Sequence, residues 1–261
     1  MKKILIGMAL TAVACGGAAK DSVTLSARLA GAGGQPLPAA SGGVQVATGI
    51  ELTRARIAVR RLRVERRDAQ SDFEISQGPL LLDAAGDALA GSLLQLVSSI
   101  VPAGTYDKLK LDIHAVTAAP AGAFDELVAR GASVLLEGTL DGQPFVFASA
   151  LEAELEHEGT FALGSASNNI TLNIDASSWF KAADGSRLDP RDAVSRAAIA
   201  ANIRASFSAF EDDDEDGIDD HGHHDGGDDG AHDGGDDRGH GGEDGGHGGS
   251  GGGGDDGSGH H

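Results

Sequence analysis

The residues best suited to chemistry lie in an acidic run, EDDDEDGIDD, at residues 211–220. Ca²⁺ takes about six to eight oxygen ligands, many of them carboxylates, from a chain that can curl around the ion. Gly217 permits the sharp turn that such a loop needs. Alternating carboxylates and one backbone carbonyl therefore predict a calcium-type site. Its candidate ligands are Asp212, Asp214, Asp216, Ile218 through its carbonyl, and Asp220.

This spacing resembles the calcium loops of EF-hand and thrombospondin-type-3 proteins. The match holds through the ninth position, Asp220, but the twelfth is His223, where an EF-hand loop has a bidentate Glu. No second copy of the loop follows. We therefore expect weak Ca²⁺ binding, with a Kd of about 10⁻⁴ to 10⁻³ M. The alternative is that the run is a solvated acidic segment without a site.

Histidines offer a second metal chemistry after residue 220. Neutral imidazole binds Zn²⁺, Cu²⁺ and Ni²⁺, and neighbouring Asp side chains can assist. The tail, residues 211–261, is rich in Gly and Asp and nearly devoid of hydrophobic residues, so we expect it to be disordered. Its metal sites would be weak and unselective, and they would fail when His protonates below about pH 6. The candidate ligands are His221, His223, His224, His232 and His240.

The negative charge of the chain is concentrated in this tail. The formal net charge is −20, and residues 211–261 hold 18 of the 40 acidic residues but one of the 20 Lys and Arg residues. No basic patch with interleaved aromatics occurs, which argues against nucleic acid as a partner. Arginines cluster near residue 60, but they alternate with Ile57, Val59, Leu62 and Val64. We therefore interpret the arginines as the solvent-exposed face of a strand.

No sequence motif indicates catalysis. The chain lacks a G-x-S-x-G, an H-E-x-x-H and a phosphate-binding glycine loop. His114 and His157 fall in the polar phase of predicted strands, and we expect both to face solvent. Four glutamates at every second position from 152 to 158 predict a solvated strand face. The chain is therefore predicted not to be an enzyme and to need no organic cofactor, although a hydrolase site combining a histidine with carboxylates is a third hypothesis.

The N-terminus, MKKILIGMALTAVAC, predicts export. Lys2 and Lys3 precede a short apolar run, and small residues lead to Cys15, the one cysteine of the chain. The run is too short to cross a bilayer and is typical of a cleaved signal. It resembles a bacterial lipobox, although Ala12 stands where Leu is usual. The resemblance implies cleavage after residue 14, lipidation of Cys15 and, with Gly16 following, an anchor in the outer membrane.

Residues 22–210 predict a β-rich body, joined to the lipidated end by a tether at residues 15–21. Apolar residues alternate from Val23 to Leu29 and again through KLKLDIHAV, as strands require. Near residue 60 the alternation slips by one residue, which predicts a β-bulge. Asp141-Gly142 separates two strand-like runs and predicts a hairpin turn. The predicted fold is mainly β: an antiparallel β-sandwich with a C-terminal helix and a disordered acidic tail.

Two segments of the body predict helices instead. Residues 88–100 place Leu89, Leu93, Leu96 and Ile100 at spacings of three or four. The second helix begins at an Asp189 N-cap followed by Pro190. Its apolar stripe consists of Ile199, Ile203, Phe207 and Phe210.

The body also resembles known domains. VPAGTYDKLKLDI resembles the strand start of prealbumin-like and carboxypeptidase-regulatory-like β-sandwich domains, with Gly104 and Tyr106 at the matching positions. Residues 40–210 resemble bacterial lipoproteins with a domain of unknown function. The resemblance implies a fold, with Gly104 in a turn and Tyr106 as an aromatic anchor, and it implies no reaction.

Three functions remain open from the sequence. The first is a non-enzymatic cell-envelope module that binds Ca²⁺ weakly through its tail loop. The second is storage or delivery of Zn²⁺, Cu²⁺ or Ni²⁺ through the histidines. The third is the uncharacterised hydrolase. The predicted partners are the membrane, through the lipid anchor, and metal ions, while the identity of a protein or polysaccharide partner stays open.

Overall fold

The computed structural model describes residues 21–67, 72–76, 78–117, 122–163, 169–212, 214–217 and 219. The predicted signal, Cys15, Ile218, Asp220 and all the tail histidines lie outside the described residues. Within the described part of the chain, no helix is both long and apolar enough to cross a membrane.

The described residues form twelve strands and two α-helices. The strands are β1 (Asp21–Ala30), β2 (Val44–Ala47), β3 (Ile50–Arg66), β4 (Phe73–Glu74), β5 (Leu80–Ala85), β6 (Leu94–Val101), β7 (Gly104–Ile113), β8 (Val134–Leu140), β9 (Gln143–Ser149), β10 (Ala153–Leu163), β11 (Asn169–Asp175) and β12 (Phe207–Glu211). The helices are α1 (Asp125–Arg130) and α2 (Arg196–Ala205).

The strands form two sheets. The small sheet has the order β12-β11-β1-β6, and the large sheet has the order β10-β7-β3-β8-β9, with β2, β4 and β5 also paired to β3. The pairing of β1 with β11 is parallel, and the other pairings are antiparallel. The predicted antiparallel architecture is confirmed, with this one parallel pair added.

The main hydrophobic core lies between the sheets, and a second, smaller cluster consists of Ala58, Val116, Leu127, Ala132 and Leu135. In β1 the alternating residues Val23, Leu25, Ala27 and Leu29 are buried, and they belong to one cluster with Leu52 and other buried residues of the large sheet. Because successive side chains of a strand point to opposite faces, such alternation directs every second side chain into this core. The predicted β-sandwich is confirmed.

Three local predictions are also confirmed. The pairing of β3 with β7 shifts register between Val59 and Arg61, where the alternation predicted a bulge. β8 and β9 form the predicted hairpin, with positive φ angles of 50° at Asp141 and 77° at Gly142. Tyr106, near the start of β7, is fully buried, and its hydroxyl donates to the Pro102 carbonyl over 2.6 Å.

The helix predicted over residues 88–100 is wrong. Only a 3₁₀ turn, Gly86–Ala88, precedes the strand β6, which pairs with β1. The helical spacing included Ile100 as part of the apolar stripe, but Ile100 is 57% exposed. Pairing with an existing strand outweighs local spacing in a short apolar segment, for which periodicity cannot separate helix from strand.

The C-terminal helix is confirmed, but its predicted limits are wrong. α2 begins at Arg196, after a turn in which the Asp189 carboxylate accepts from the Arg191 amide. Ile199 and Ile203 are buried, as the stripe predicts. The other two stripe residues, Phe207 and Phe210, lie in β12, paired with Ile174 and Thr171 of β11. The helix ends at Ala205 because the following residues complete the small sheet.

Candidate metal centre

The acidic loop begins inside the folded body. β12 continues to Glu211, paired with Ile170, so the sheet extends past the predicted boundary at residue 210. Asp212 follows directly and is fully buried. Its backbone carbonyl accepts from the Asn169 side-chain amide over 3.1 Å, and its N–H donates to the Asn169 carbonyl over 3.3 Å. The start of the loop is therefore fixed to β11.

The structure brings together three of the five predicted calcium ligands. One carboxylate oxygen from each of Asp212, Asp214 and Asp216 lies within 4.8 Å of the other two. Asp212 is buried, whereas Asp214 and Asp216 are exposed. A donor set made of carboxylate oxygens suits a hard cation.

The Asp212 carboxylate is only partly satisfied by the protein. Oδ2 accepts from the Thr171 hydroxyl over 2.6 Å and from the Gly217 N–H over 3.0 Å. Oδ1 is buried and has no hydrogen-bond partner among the described residues. Burial raises the pKa of Asp212, and the bonds from Thr171 and Gly217 oppose that rise. A buried carboxylate oxygen without a partner is costly, and a bound cation would remove that cost.

The backbone of the loop turns as a calcium-type loop requires. Gly217 has a φ of 79°, in the left-handed region that glycine adopts without strain. Glu215 also has a positive φ, of 58°. The Asp214 carboxylate accepts from the Asp216 N–H over 3.3 Å, which tightens the turn. The sequence prediction of a sharp turn at Gly217 is confirmed.

Arg28 of β1 lies beneath this loop. Its Nε donates to Asn173 Oδ1 over 3.1 Å and its Nη2 to the Gly34 carbonyl over 2.6 Å. Burial lowers the pKa of this guanidinium, while the charges of Asp212 and Asp216 raise it. One arginine does not balance three clustered carboxylates, so the loop retains an excess of negative charge.

Sequence reasoning missed Asn169, Thr171 and Arg28. All three lie in the polar phase of β11 or β1, a position that normally indicates only exposure to solvent. Yet all three are buried. The sequence does show small polar residues and an arginine in these two strands. Without the strand order, however, it does not show that the strands lie beside the acidic loop.

The arginines on β3 form a paired surface with glutamates and aspartates. Arg63 donates to Glu154 over 2.7 Å and to Asp112 over 3.1 Å. The prediction of a solvent-exposed face is wrong for Arg56, which is 4% exposed. Its Nη2 pairs with Glu126 over 2.6 Å and also with Glu137. The large sheet brings these partners over the guanidinium and removes it from water.

The two body histidines lie in different surroundings. His114 Nδ1 lies 3.8 Å from Glu152. The prediction that His157 faces solvent is wrong, because its Nε2 is buried and has no hydrogen-bond partner among the described residues. Burial lowers the pKa of His157. Neither histidine lines the cleft near Arg28 or the cleft near Asp141.

Comparison with known proteins leaves the family open. No protein-family model matches the chain, and no curated protein matches it. A solved structure, MbnP from Methylosinus trichosporium, is similar at 14% sequence identity and a TM-score of 0.43, covering 73% of this chain and 98% of that chain. A likeness at this level assigns neither a ligand nor an activity to this protein.

Proposed function

We propose that this protein is a non-enzymatic cell-envelope binding module whose Asp212–Gly217 loop binds Ca²⁺. The observation that carries the proposal is the buried, unpartnered Oδ1 of Asp212, in a residue whose carboxylate lies within 4.8 Å of those of Asp214 and Asp216. A divalent cation would partner this oxygen and neutralise the clustered charge.

The donor chemistry favours Ca²⁺ over other divalent ions. The clustered ligands are oxygens on a loop, which suits the variable geometry of Ca²⁺, whereas Mg²⁺ requires a near-ideal octahedron. Zn²⁺, Cu²⁺ and Ni²⁺ prefer imidazole or thiolate. The histidines of that alternative begin at His221, outside the described residues. The Ile218 carbonyl and the Asp220 carboxylate would complete a Ca²⁺ shell of weak affinity.

The signal-like sequence at the N-terminus supports a location for the module. We propose that Cys15 is lipidated and holds the protein at the outer membrane. β1 begins at Asp21, so five residues lie between the anchor and the sandwich, and Cys15 and Asp21 are six residue steps apart. An extended chain of that length spans roughly 20 Å. Such a tether would keep the sandwich close to the lipid surface.

Calorimetric titration of the mature chain with Ca²⁺ and, separately, with Zn²⁺ tests the proposal. The informative variant is the double substitution Asp214→Asn, Asp216→Asn. Its matched control is Asp184→Asn, Asp192→Asn, which removes the same charge from two exposed carboxylates in other turns. We expect a calcium signal that is lost in the first variant and retained in the second.

Two results would count against a calcium module. The first is the absence of a Ca²⁺ signal up to about 10 mM, well above the weak range expected for such loops. The second is a Ca²⁺ signal that survives in the Asp214, Asp216 double variant. A Zn²⁺ signal that persists in that variant, without a calcium response, would favour the histidine tail.

A further inference from the structure

A cleft of about 1110 Å³ opens on the outer face of the small sheet, beside the acidic loop. Its floor includes Arg28 of β1, Asn173 of β11 and Ser208 of β12. These residues alternate with the core residues of their strands, so the cleft lies on the face opposite the core. Its volume lies slightly above the range for small-molecule sites, about 300–1,000 Å³.

The floor of the cleft retains unused hydrogen-bond donors. Arg28 uses Nε and Nη2 for Asn173 and Gly34, and its Nη1 makes no hydrogen bond among the described residues. Asn173 accepts through Oδ1, which leaves its side-chain N–H groups available. A planar guanidinium beside an amide is suited to recognise a carboxylate.

The walls combine apolar and polar surface. Phe210 contributes a half-buried aromatic ring. The Asn202 amide nitrogen donates to three backbone carbonyls, those of Ser178, Trp179 and Lys181, which fixes the side chain. Asn202 is therefore a fixed polar residue in the lining of the cleft. An aromatic ring with fixed amide and hydroxyl groups fits a ligand that has an apolar face and several hydroxyls.

The charges of the cleft limit the ligand to few negative groups. Asp175, Asp216 and Asp219 line the cleft together with its one arginine, Arg28. A polyanionic ligand would be repelled by these carboxylates. A ligand with one carboxylate and many neutral hydroxyls would use Arg28 at a smaller cost.

The acidic loop forms one wall of this cleft. Asp216 and Gly217 line it, and a Cβ on Gly217 would lie 2.6 Å from Arg28 Nη1. The loop therefore packs against Arg28, and the charges of Asp212 and Asp216 raise the pKa of this guanidinium. A Ca²⁺ ion in the loop would neutralise these carboxylates and leave the guanidinium for a ligand anion.

We infer that this cleft is a calcium-dependent binding site for a saccharide that carries a carboxylate. The inference rests on the proposed calcium loop, because the ion frees Arg28 and fixes the wall formed by Asp216 and Gly217. Linkage requires the converse effect, so the saccharide also raises the affinity for Ca²⁺ by the same factor.

Equilibrium binding of cellobiouronic acid to the mature chain tests this inference. The matched neutral probe is cellobiose, in which a hydroxymethyl group replaces the carboxylate. We expect cellobiouronic acid to bind at least about tenfold more tightly than cellobiose, and only with Ca²⁺ present. Arg28→Gln should remove this preference, and Phe210→Ala should weaken both sugars. Arg61→Gln, which removes a 45% exposed arginine of the large sheet, is the control and should change neither affinity.

The outcomes separate the two proposals. Calcium binding without saccharide binding overturns the cleft inference and leaves the calcium module intact. Saccharide binding that is indifferent to Ca²⁺ overturns the coupling. Equal affinity for the two sugars overturns the role of Arg28. If Arg28→Gln fails to fold, Phe210→Ala and the comparison of the two sugars on the unaltered chain still decide the inference.

Discussion

The outer faces of the two sheets carry charge in opposite ways. On the large sheet, cations and anions lie on neighbouring strands and satisfy one another. Arg54 donates to both oxygens of Asp83, over 2.7 and 2.6 Å, and Lys110 lies 2.5 Å from Glu65. At the end of the small sheet, three carboxylates cluster against one arginine, Arg28.

This difference distinguishes a structural surface from a ligand site. Paired surface charges contribute little individually, about 0–1 kcal/mol each, but they keep an open sheet face soluble. A buried, unpaired carboxylate destabilises the protein until a ligand neutralises it. In the sequence, an arginine-rich strand and an aspartate-rich loop are equally plausible ligand sites. Their roles differ because the arginines have acidic partners in the fold, whereas the clustered aspartates lie beside one arginine, Arg28.

The largest expected effect concerns the paired face. Arg56→Met should destabilise the protein by about 2–3 kcal/mol, because it leaves Glu126 and Glu137 close together without their cation. Arg61→Met removes an arginine whose side chain is 45% exposed and should cost less than about 0.5 kcal/mol. Denaturant unfolding in calcium-free buffer measures both. Equal costs would mean that burial of Arg56 does not distinguish it from the exposed arginines.

A somewhat smaller effect is expected from calcium itself. At about 10 mM Ca²⁺ and a Kd of about 10⁻⁴ to 10⁻³ M, binding to the native state should add about 1.4–2.7 kcal/mol of stability. Thermal unfolding with Ca²⁺, and with Mg²⁺ at the same concentration, measures the gain. The Asp214→Asn, Asp216→Asn variant should show none. An equal gain from Mg²⁺ would indicate general charge screening instead of a site.

The next effect tests the contact between the loop and Arg28. Gly217→Ala should destabilise the protein by about 1–2 kcal/mol, because it combines an unfavourable φ of 79° with a clash against Arg28. Gly185→Ala has a similar φ of 81°, but none of the described residues lies within 4 Å of its Cβ. It should show the backbone cost alone and leave calcium affinity unchanged. Identical behaviour of the two variants would show that Arg28 moves aside freely.

The smallest effect concerns His157, which lies opposite the buried Leu109 on the core side of β10 and whose Nε2 has no hydrogen-bond partner among the described residues. Burial holds its pKa below the unfolded value, so the unfolded chain binds more protons as the pH falls through about 6.5. Stability should therefore fall on acidification, with a slope of at most about 1.4 kcal/mol per pH unit from this group. His157→Gln should flatten the profile between pH 7 and 5. An unchanged profile in His157→Gln would assign the acid sensitivity to other groups.

Much of the fold was predictable because strand patterns are local. The alternation from Val23 to Leu29 defines a buried and an exposed face without knowledge of any partner strand. Asp141-Gly142 predicts its hairpin because few residue pairs tolerate two positive φ angles. Residues 94–101 and Phe207 were not predictable in this way, because pairing with β1 and β11 determines their conformation.

The sequence by itself determined the alternate aspartates, the turn at Gly217 and the strand faces, because each depends on residues adjacent in the chain. Only the tertiary structure determined which residues contact the aspartates and Gly217. Thr171 reaches Asp212 across 41 residues of sequence, and Arg28 arrives from the first strand of the small sheet. The order of the strands in the small sheet brings these residues together. That order depends on the burial of two whole sheet faces, which is a property of the entire chain. The unpartnered oxygen of Asp212, and with it the proposed calcium site, therefore became visible only in the folded molecule.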